Sequence, residues 1–388
     1  MRTRVGLLAT LLLLAACREV TVPDAERKEP YPDTGAVRLT YNLRDDRVPA
    51  WRGDSLYYAT SGHPNLSLAH EWIAAIYRLG PVANVLLPDQ GLTSSFPKRF
   101  GAPAVSADGR RIAIAEVTDT ASLTTCSMMI RCNGAVLADR TAIPHIQRAR
   151  LHVRDLQAGA AADIATLDIV FDGREPFVGQ HPSGEFPVIM LRAHPFQQRY
   201  SYDRDQIFRP TFSPDGNRIA FSDGLNLYVW EIGGVATVIP GTEDGVFPAW
   251  SPDGGWIAFS RLERGPPTTD FCECWAAGSQ QPGEYYDRTV YGGFAEPSRL
   301  MLVRPDGSEM LDLGQGYAPA WLPGGDALVV SRNDGFLWEV AIDGTARRID
   351  DTANAREPAV SADGSLLAFA RALHLGNADI WIVPFRRP

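Results

Sequence analysis

Short apolar runs alternate with turn-forming residues along most of the chain, and one segment recurs from residue 35 onward. In each copy a proline precedes an apolar run, a turn built on Asp-Gly or a similar pair follows, and a second apolar run begins. The clearer copies cover residues 102–115, 209–222, 247–260 and 357–370, and looser copies cover 48–59 and 318–331. Runs of this length joined by Asp-Gly predict antiparallel β-hairpins.

A third apolar run follows several of these hairpins, and a glycine turn then leads through a fourth short run to the next proline. The third runs lie at residues 76–79, 151–156, 227–232, 300–304, 336–342 and 379–385. Four antiparallel strands in each unit of about 40 residues predict the blades of a β-propeller. The expected fold class is therefore all-β, with a single propeller over residues 35–388.

The repeats resemble the TolB-like, WD-like propeller repeat of bacterial periplasmic proteins, over nearly all of residues 36–385. The resemblance implies a propeller fold and a place in the cell envelope. It implies no particular activity, because this repeat serves many roles.

The number of blades follows from the prolines that open the repeats, at positions 49, 103, 210, 248, 319 and 358. The interval from 103 to 210 is too long for one blade. Residues 167–192 within it contain three apolar runs and two tight turns, and residues 199–205 follow, which predicts a degenerate extra blade. We therefore expect seven four-stranded blades, with a six-bladed ring carrying a long insertion as the alternative.

The two ends of the chain match in a way that predicts ring closure. Residues 35–49 and 344–358 share the same spacing from Gly to Pro, and the last repeat stops at Phe385, after its third strand. We therefore expect strand 36–41 to join the last blade beside strand 379–385, because closure removes exposed sheet edges.

Residues 1–16 have the features of a signal peptide: a basic start, an apolar stretch and small residues before Cys17. Leu14-Ala15-Ala16-Cys17 resembles the bacterial lipobox, which implies lipidation of Cys17; the alternative is an ordinary signal peptide with a chance cysteine. Residues 17–34 are charged and predict a flexible tether. In the lipoprotein family, the absence of Asp after the cysteine favours the outer membrane over the inner membrane.

Three long inserts are predicted between the second and third strands of their blades, near residues 61–74, 118–149 and 262–298. In a propeller these loops leave the ring on one face, together with the loops that join successive blades. Loops held on a rigid scaffold are frequent binding sites. The alternative is that the inserts only cover the ring or are disordered.

Two of the inserts carry the remaining cysteines: Cys126 and Cys132 in one, Cys272 and Cys274 in the other. An exported protein meets an oxidising compartment, so disulfides are expected. Cys126–Cys132 is the favoured pair, and Cys272–Cys274 would close a small, strained ring. Pairing between the inserts is the alternative if the loops meet, and a four-thiolate metal site is a further one.

Composition and motifs narrow the function classes. The chain is 45% apolar and 21% charged, which excludes a disordered protein, and its net charge of −9 argues against non-specific nucleic-acid binding. The sequence contains no G-x-S-x-G, H-E-x-x-H, P-loop or G-x-G-x-x-G segment following a strand. No catalytic residue, metal ligand or cofactor is therefore predicted.

Basic residues precede several of the blade-opening prolines, where they are expected to face the mouth of the central channel. They are Arg47, Lys98, Arg99, Arg209 and Arg356. Such a cluster would suit a carboxylate, a phosphate or an acidic peptide. The alternative is pairing with neighbouring carboxylates, namely Asp45, Asp46, Asp205 and Glu357.

The function expected from the sequence is a lipid-anchored envelope propeller that acts as a non-enzymatic scaffold or accessory subunit of a membrane-associated complex. Its partners would be other envelope or membrane proteins, with the membrane reached through the lipid anchor and no nucleic acid bound. The alternative is an enzyme or small-ligand binder that uses the central channel.

Overall fold

The computed structural model of the chain describes residues 35–40, 45–53, 55–61, 75–79, 84–86, 99–100, 103–122, 129–132, 135–138, 144–156, 163–170, 177–180, 187–190, 209–223, 226–261, 267–275, 284–291, 298–372 and 378–385. Every helix or strand assigned within these ranges is a β-strand, which confirms the all-β fold class. The predicted signal peptide, Cys17 and the predicted tether lie outside them.

The strands of the first half of the chain run as follows. They are β1 (Val37–Arg38), β2 (Asp45–Arg52), β3 (Ser55–Ser61), β4 (Ala75–Leu79), β5 (Asn84–Leu86), β6 (Arg99–Phe100), β7 (Ala104–Val105), β8 (Arg111–Ser122), β9 (Met129–Cys132), β10 (Ala135–Ala138), β11 (Pro144–Asp155), β12 (Asp163–Val170), β13 (Phe177–Gln180) and β14 (Pro187–Met190).

The second half continues with seventeen strands. They are β15 (Thr211–Phe212), β16 (Arg218–Ser222), β17 (Leu227–Glu231), β18 (Ala236–Val238), β19 (Gly245–Trp250), β20 (Ile257–Arg261), β21 (Pro267–Trp275), β22 (Glu284–Tyr291), β23 (Arg299–Val303), β24 (Met310–Gln315), β25 (Tyr317–Trp321), β26 (Ala327–Ser331), β27 (Leu337–Ala341), β28 (Ala346–Ile349), β29 (Ala355–Val360), β30 (Leu366–Ala372) and β31 (Ala378–Pro384).

Six antiparallel sheets make up the ring, and we number them in chain order by their innermost strands. Sheet 1 is β2-β3-β4-β5, sheet 3 is β15-β16-β17-β18, sheet 4 is β19-β20-β23-β24, sheet 5 is β25-β26-β27-β28, and sheet 6 is β29-β30-β31-β1. Sheet 2 has five strands, because β6 and β7 both pair with β8 beside β11 and β12. β6 pairs with β8 at Val117 and Glu116, and β7 pairs with β8 at Ala113 and Ile112.

The innermost strands close the ring. β2 contacts β7, β7 contacts β15, and the contacts continue through β19, β25 and β29 back to β2. The structure therefore has five four-stranded blades, with the five-stranded sheet 2 in the remaining place. The expectation of seven four-stranded blades is wrong, and the alternative of six such blades is not met either.

The described residues within 167–192 do not form the predicted extra blade. Residues up to Val170 complete β12 of sheet 2, and β13 and β14 make a separate two-stranded hairpin. β14 contacts β22, so this hairpin lies against an insert strand. The apolar runs had the length of blade strands, but two strands cannot supply a blade. Residues 199–205 lie outside the described residues.

The Ser-x-Asp-Gly turn explains why the repeat folds into hairpins. In sheet 3, Ser213 Oγ donates to an Asp215 carboxylate oxygen and accepts from the Arg218 N–H, while Gly216 takes a φ of 70°. A residue with a Cβ is strained at such a φ, so glycine is needed there. Equivalent serine–aspartate bonds occur at Ser106–Asp108, Ser251–Asp253 and Ser361–Asp363.

The apolar core is divided into clusters between neighbouring sheets. Leu302 of sheet 4 and Leu328 and Val330 of sheet 5 are fully buried together. Trp321 and Trp51 occupy one repeat position, and each donates its indole N–H to an inner-strand carbonyl of the neighbouring sheet, Ala249 O and Ala359 O respectively. Both tryptophans thus join blades, as their recurrence indicates.

Ring closure takes the predicted form. β1 pairs with β31, with Val37 opposite Ile382 and Arg38 opposite Trp381, and the Leu39 N–H continues the pairing to Ile380 O. The N-terminal strand is shorter than the expected 36–41, but it completes sheet 6.

A search of the described residues finds no helix long and apolar enough to cross a membrane.

Candidate functional site

Four innermost strands share an unusual backbone conformation immediately before the blade-opening proline. Val48, Phe247, Ala318 and Glu357 have φ values of 53°, 56°, 51° and 57°. The strand register shifts at the same point in each sheet, so every one of these residues sits in a β-bulge. Non-glycine residues in this region cost about 1–3 kcal/mol each, so the surrounding contacts must hold them.

A serine on the preceding sheet supplies one such contact in two cases. Ser260 Oγ accepts the Ala318 N–H at 3.0 Å, and Ser331 Oγ accepts the Glu357 N–H at 3.2 Å. In sheet 6 the position equivalent to Ser260 and Ser331 is occupied by Ala370, which has no hydroxyl. The Val48 N–H instead donates to Glu357 Oε2 at 3.0 Å. The Glu357 carboxylate therefore replaces the missing serine between sheets 6 and 1.

The Glu357 carboxylate is also the centre of a charge cluster. Its side chain is only 2% exposed, and Arg209 Nη2 lies 2.7 Å from Oε1 as an ion pair rather than an aligned hydrogen bond. Burial alone raises the pKa of Glu357, but the charges of Arg209 and Arg47 and the Val48 N–H outweigh it, so the pKa lies below its ordinary value. The charge of Arg356 acts in the same direction.

Two aromatic rings line the same cluster. The Arg209 guanidinium lies 4.6 Å from the centre of the Phe247 ring, which is itself 6.5 Å from the Tyr317 ring. Burial raises the pKa of the Tyr317 hydroxyl. The rings reduce the access of water to the arginine and so strengthen its attraction to Glu357.

The predicted channel-mouth residues are thus partly brought together. Arg47, Arg209 and Arg356 surround one carboxylate, whereas Lys98 lies outside the described residues. Arg99 opens β6, opposite Val117. Pairing with a neighbouring carboxylate, the alternative interpretation, holds for Arg209. Of the other carboxylates named, Asp46 is buried in β2 and Asp205 lies outside the described residues.

Sequence reasoning did not identify the central role of Glu357. It treated this residue only as one possible partner for the basic side chains. The usable signals were its position directly before Pro358 and the alanine at 370, where three other repeats carry serine.

The inserts leave the ring at the same end as the charge cluster. In sheet 1, Asp45 at the start of the inner strand pairs with Ser61, where the first insert begins. In sheet 4, Gly245 pairs with Arg261, where the third insert begins. The inserts and the cluster therefore share one face of the ring.

Two of the three inserts combine into a sheet outside the ring, which we call the insert sheet. Its order is β10-β9-β21-β22, with β9 and β10 from the insert of sheet 2, and β21 and β22 from the insert of sheet 4. β9 pairs with β21 across residues Met129–Cys132 and Cys272–Trp275. Two separate loops thus build one surface. Most of the remaining insert, residues 62–74, lies outside the described part of the chain.

Comparison with known proteins assigns neither a family nor an activity. No protein-family model matches the chain, and no curated protein matches its sequence. Among solved structures, a TolB from Acinetobacter baumannii is similar with a TM-score of 0.46 and 16% identity, covering 82% of this chain. This chain spans 58% of the length of that TolB chain.

Other similar structures have different functions. An oligogalacturonate lyase from Vibrio parahaemolyticus has a TM-score of 0.43 and 11% identity, covering 91% of this chain and 95% of the lyase. A chain of a mitotic checkpoint complex has a TM-score of 0.42 and 13% identity, covering 95% of this chain and 96% of that one. At these values the likenesses carry no function across.

Among the residues with described side chains, no group of three or more His, Cys, Asp or Glu is arranged to hold a metal ion. One smaller polar group lies at the outer side of sheet 2, where Asp163 contacts His152 Nδ1 at 2.8 Å and Arg154 Nε at 2.7 Å. Burial raises the pKa of Asp163, but these two partners outweigh it and the pKa is lowered. Because Asp163 has both of these side chains as partners, this group gives no indication of a ligand.

Proposed function

We propose that the protein is a non-enzymatic propeller that binds other envelope or membrane proteins through its insert sheet. The observation that carries the proposal is the pairing of two inserts, from sheets 2 and 4, into one four-stranded sheet. None of these four strands pairs with a ring strand within the described structure. The ring closes through its own innermost strands, so the insert sheet is not needed for closure.

The same observation favours a protein partner over a small ligand. A four-stranded sheet presents a broad, ordered surface, whereas small-molecule sites are concave and enclosed. Protein interfaces of ordinary strength need an area on the order of 800 Å² from each partner, which a single short loop does not supply. Two inserts joined side by side provide a larger surface with a fixed shape.

The proposed location follows from the N-terminal sequence. A lipid on Cys17 and a tether over residues 17–34 would hold the ring close to a membrane, with the outer membrane favoured over the inner. The partners within reach would then be membrane or envelope proteins.

The test removes the insert sheet and spares the ring. One variant replaces residues 123–143, which include β9 and β10, by a short Gly-containing turn; a second replaces residues 262–297, which include β21 and β22. The matched control replaces residues 62–74, an insert of the same face that contributes no described strand. Each tagged protein is purified from solubilised membranes, and its melting temperature is measured.

Both sheet-removing variants should stay folded and lose the same co-purifying proteins, because each removes half of one surface. The control should retain them. If a folded double deletion keeps every partner of the unaltered protein, the proposal fails.

The charge cluster supports a second candidate function, the binding of an acidic ligand at the channel mouth. The charges of Arg47, Arg209 and Arg356 all act on the Glu357 carboxylate, which brings three basic side chains to one place in a protein of net charge −9. A fluorescent oligoglutamate peptide would serve as a probe. Its binding should weaken in the Arg356→Gln variant and with rising salt, and should persist in Arg348→Gln, whose side chain is half-exposed on an outer strand.

A further inference from the structure

We infer that Cys132 and Cys272 form a disulfide that joins the two halves of the insert sheet. The register of β9 and β21 places these two residues directly opposite each other. They belong to inserts of different sheets, so the bond would link parts of the chain that are far apart in sequence.

The neighbouring pairs support this register. Next to Cys132 and Cys272, Arg131 stands opposite Glu273, which is a pairing of opposite charges. Opposite charges directly across an antiparallel pair stabilise that alignment, and a shift by one residue would remove the match. At the end of the strand Met129 stands opposite Trp275, which adds an apolar pair.

Backbone geometry allows the bond. Directly opposite residues in an antiparallel pair have Cα atoms about 4.5–5.5 Å apart. A disulfide spans Cα separations of about 4.4–6.8 Å. The pairing of Cys132 with Cys272 thus meets the distance requirement in either kind of antiparallel pair, without movement of the main chain.

The same register disfavours the other pairings of the described cysteines. The other neighbour of Cys132 is Ala135 on β10, and the other neighbour of Cys272 is Tyr286 on β22. Cys274 stands between Ile130 and Glu284. Among cysteines placed in the described strands, only Cys132 and Cys272 face each other across a strand pair. The favoured sequence-based pair, Cys126–Cys132, involves a residue outside the described ranges.

The bond forms by thiol–disulfide exchange, with a protein or small-molecule disulfide as the oxidant. The thiolate of one cysteine attacks that disulfide to give a mixed disulfide and releases one thiol. The thiolate of the other cysteine then displaces the second thiol. Two protein thiols are oxidised to one disulfide, and the oxidant is reduced to two thiols. The bond does not depend on the proposed function.

The experiment uses full-length protein equilibrated in a glutathione redox buffer, with peptide mapping under non-reducing conditions. The Cys132–Cys272 linked peptide should be the main oxidised species. A predominance of linked Cys126–Cys132 or Cys272–Cys274 peptides would overturn the inference.

Two matched double variants sharpen the test. Cys126→Ser with Cys274→Ser leaves Cys132 and Cys272 in the inserts, and both should become fully oxidised, with no reactive thiol at either position. Cys126→Ser with Cys272→Ser leaves Cys132 and Cys274, which are offset by two residues in the register and should stay reduced at the same redox potential. Equal oxidation of both variants, or free thiols in the first, would show that the register does not set the pairing.

Discussion

Arg38 and Asp379 form a buried ion pair between the first and last strands of the chain, with Arg38 Nη2 2.7 Å from Asp379 Oδ2. Their side chains are 4% and 1% exposed. Thr40 Oγ1 donates to the other oxygen of Asp379 and accepts the Ile380 N–H, and Arg38 Nε donates to Thr40 O. The closure of the ring thus rests on a buried polar network as well as on strand pairing.

The first prediction concerns this ion pair. Asp379→Asn should lower the free energy of unfolding by about 3–5 kcal/mol, because it leaves the Arg38 charge buried without a counter-charge. Urea unfolding would measure the loss. Asp168→Asn is the control, because its partner Arg150 is half-exposed and such pairs contribute up to about 1 kcal/mol. Similar losses in the two variants would contradict a special role for Arg38 and Asp379.

The second prediction concerns the closing strand as a whole. Deleting residues 18–41 should lower the melting temperature, because it removes β1 and exposes the edge of β31. Deleting residues 18–33 should leave the melting temperature unchanged, since it stops before β1. Equal melting temperatures for the two truncations would show that β1 does not close the ring.

The third prediction tests the substitution of a carboxylate for a serine at the joint between sheets 6 and 1. Glu357→Ala leaves the Val48 N–H without its acceptor and Arg209 without its ion pair, so it should cost about 3–5 kcal/mol. Adding Ala370→Ser should recover about 1 kcal/mol by restoring one hydrogen bond, as Ser331 does for Glu357.

Denaturant unfolding of the single and double variants would measure this recovery. Ala370→Ser alone should bring no gain, because the Val48 N–H already has a partner. An equal effect of the serine with and without Glu357 would disprove the proposed exchange of roles.

The fourth prediction concerns acid stability. The bond from Ser361 Oγ, together with the Ser365 N–H, lowers the pKa of Asp363 to about 2 from 3.8. A carboxyl whose pKa is lower in the folded state stabilises the protein above about pH 4, and this contribution disappears as the pH falls through the folded-state value. The same direction holds for Asp108, Asp215 and Asp253.

Ser361→Ala should therefore destabilise the protein more at pH 6 than at pH 2, where Asp363 is already about half protonated in the unaltered protein. A smaller loss should remain at pH 2, because Ser361 Oγ also accepts the Leu366 N–H. Urea midpoints across this range would provide the comparison. A difference that stays constant with pH would show that the serine does not act through the aspartate.

The blade count marks where prediction from sequence failed. Six prolines marked the innermost strands of the ring, but residues 167–192 were predicted to form a seventh blade from their apolar runs and two tight turns. Those runs are divided between β12 and the separate hairpin of β13 and β14. A run of apolar residues indicates a strand but does not identify the sheet it joins, because pairing partners far along the chain decide that.

The sequence alone determined the features of this protein that repeat. Each hairpin depends on a proline, a turn of Asp-Gly or a similar pair, and two apolar runs within about 14 residues, so it can be predicted without knowledge of the rest of the chain. Ring closure was also readable, because the first strand completes a pattern that the last repeat leaves unfinished.

The tertiary structure alone decided the features that occur once. Glu357 draws together Arg47 and Arg209 only because the ring brings three sheets to one point. The insert sheet forms because β9 pairs with β21. Neither strand belongs to a repeat, so the sequence did not indicate which strand it would pair with. Local preferences determine which residues become strands, whereas long-range packing selects the neighbours, and the candidate functional surfaces of this protein depend on that selection.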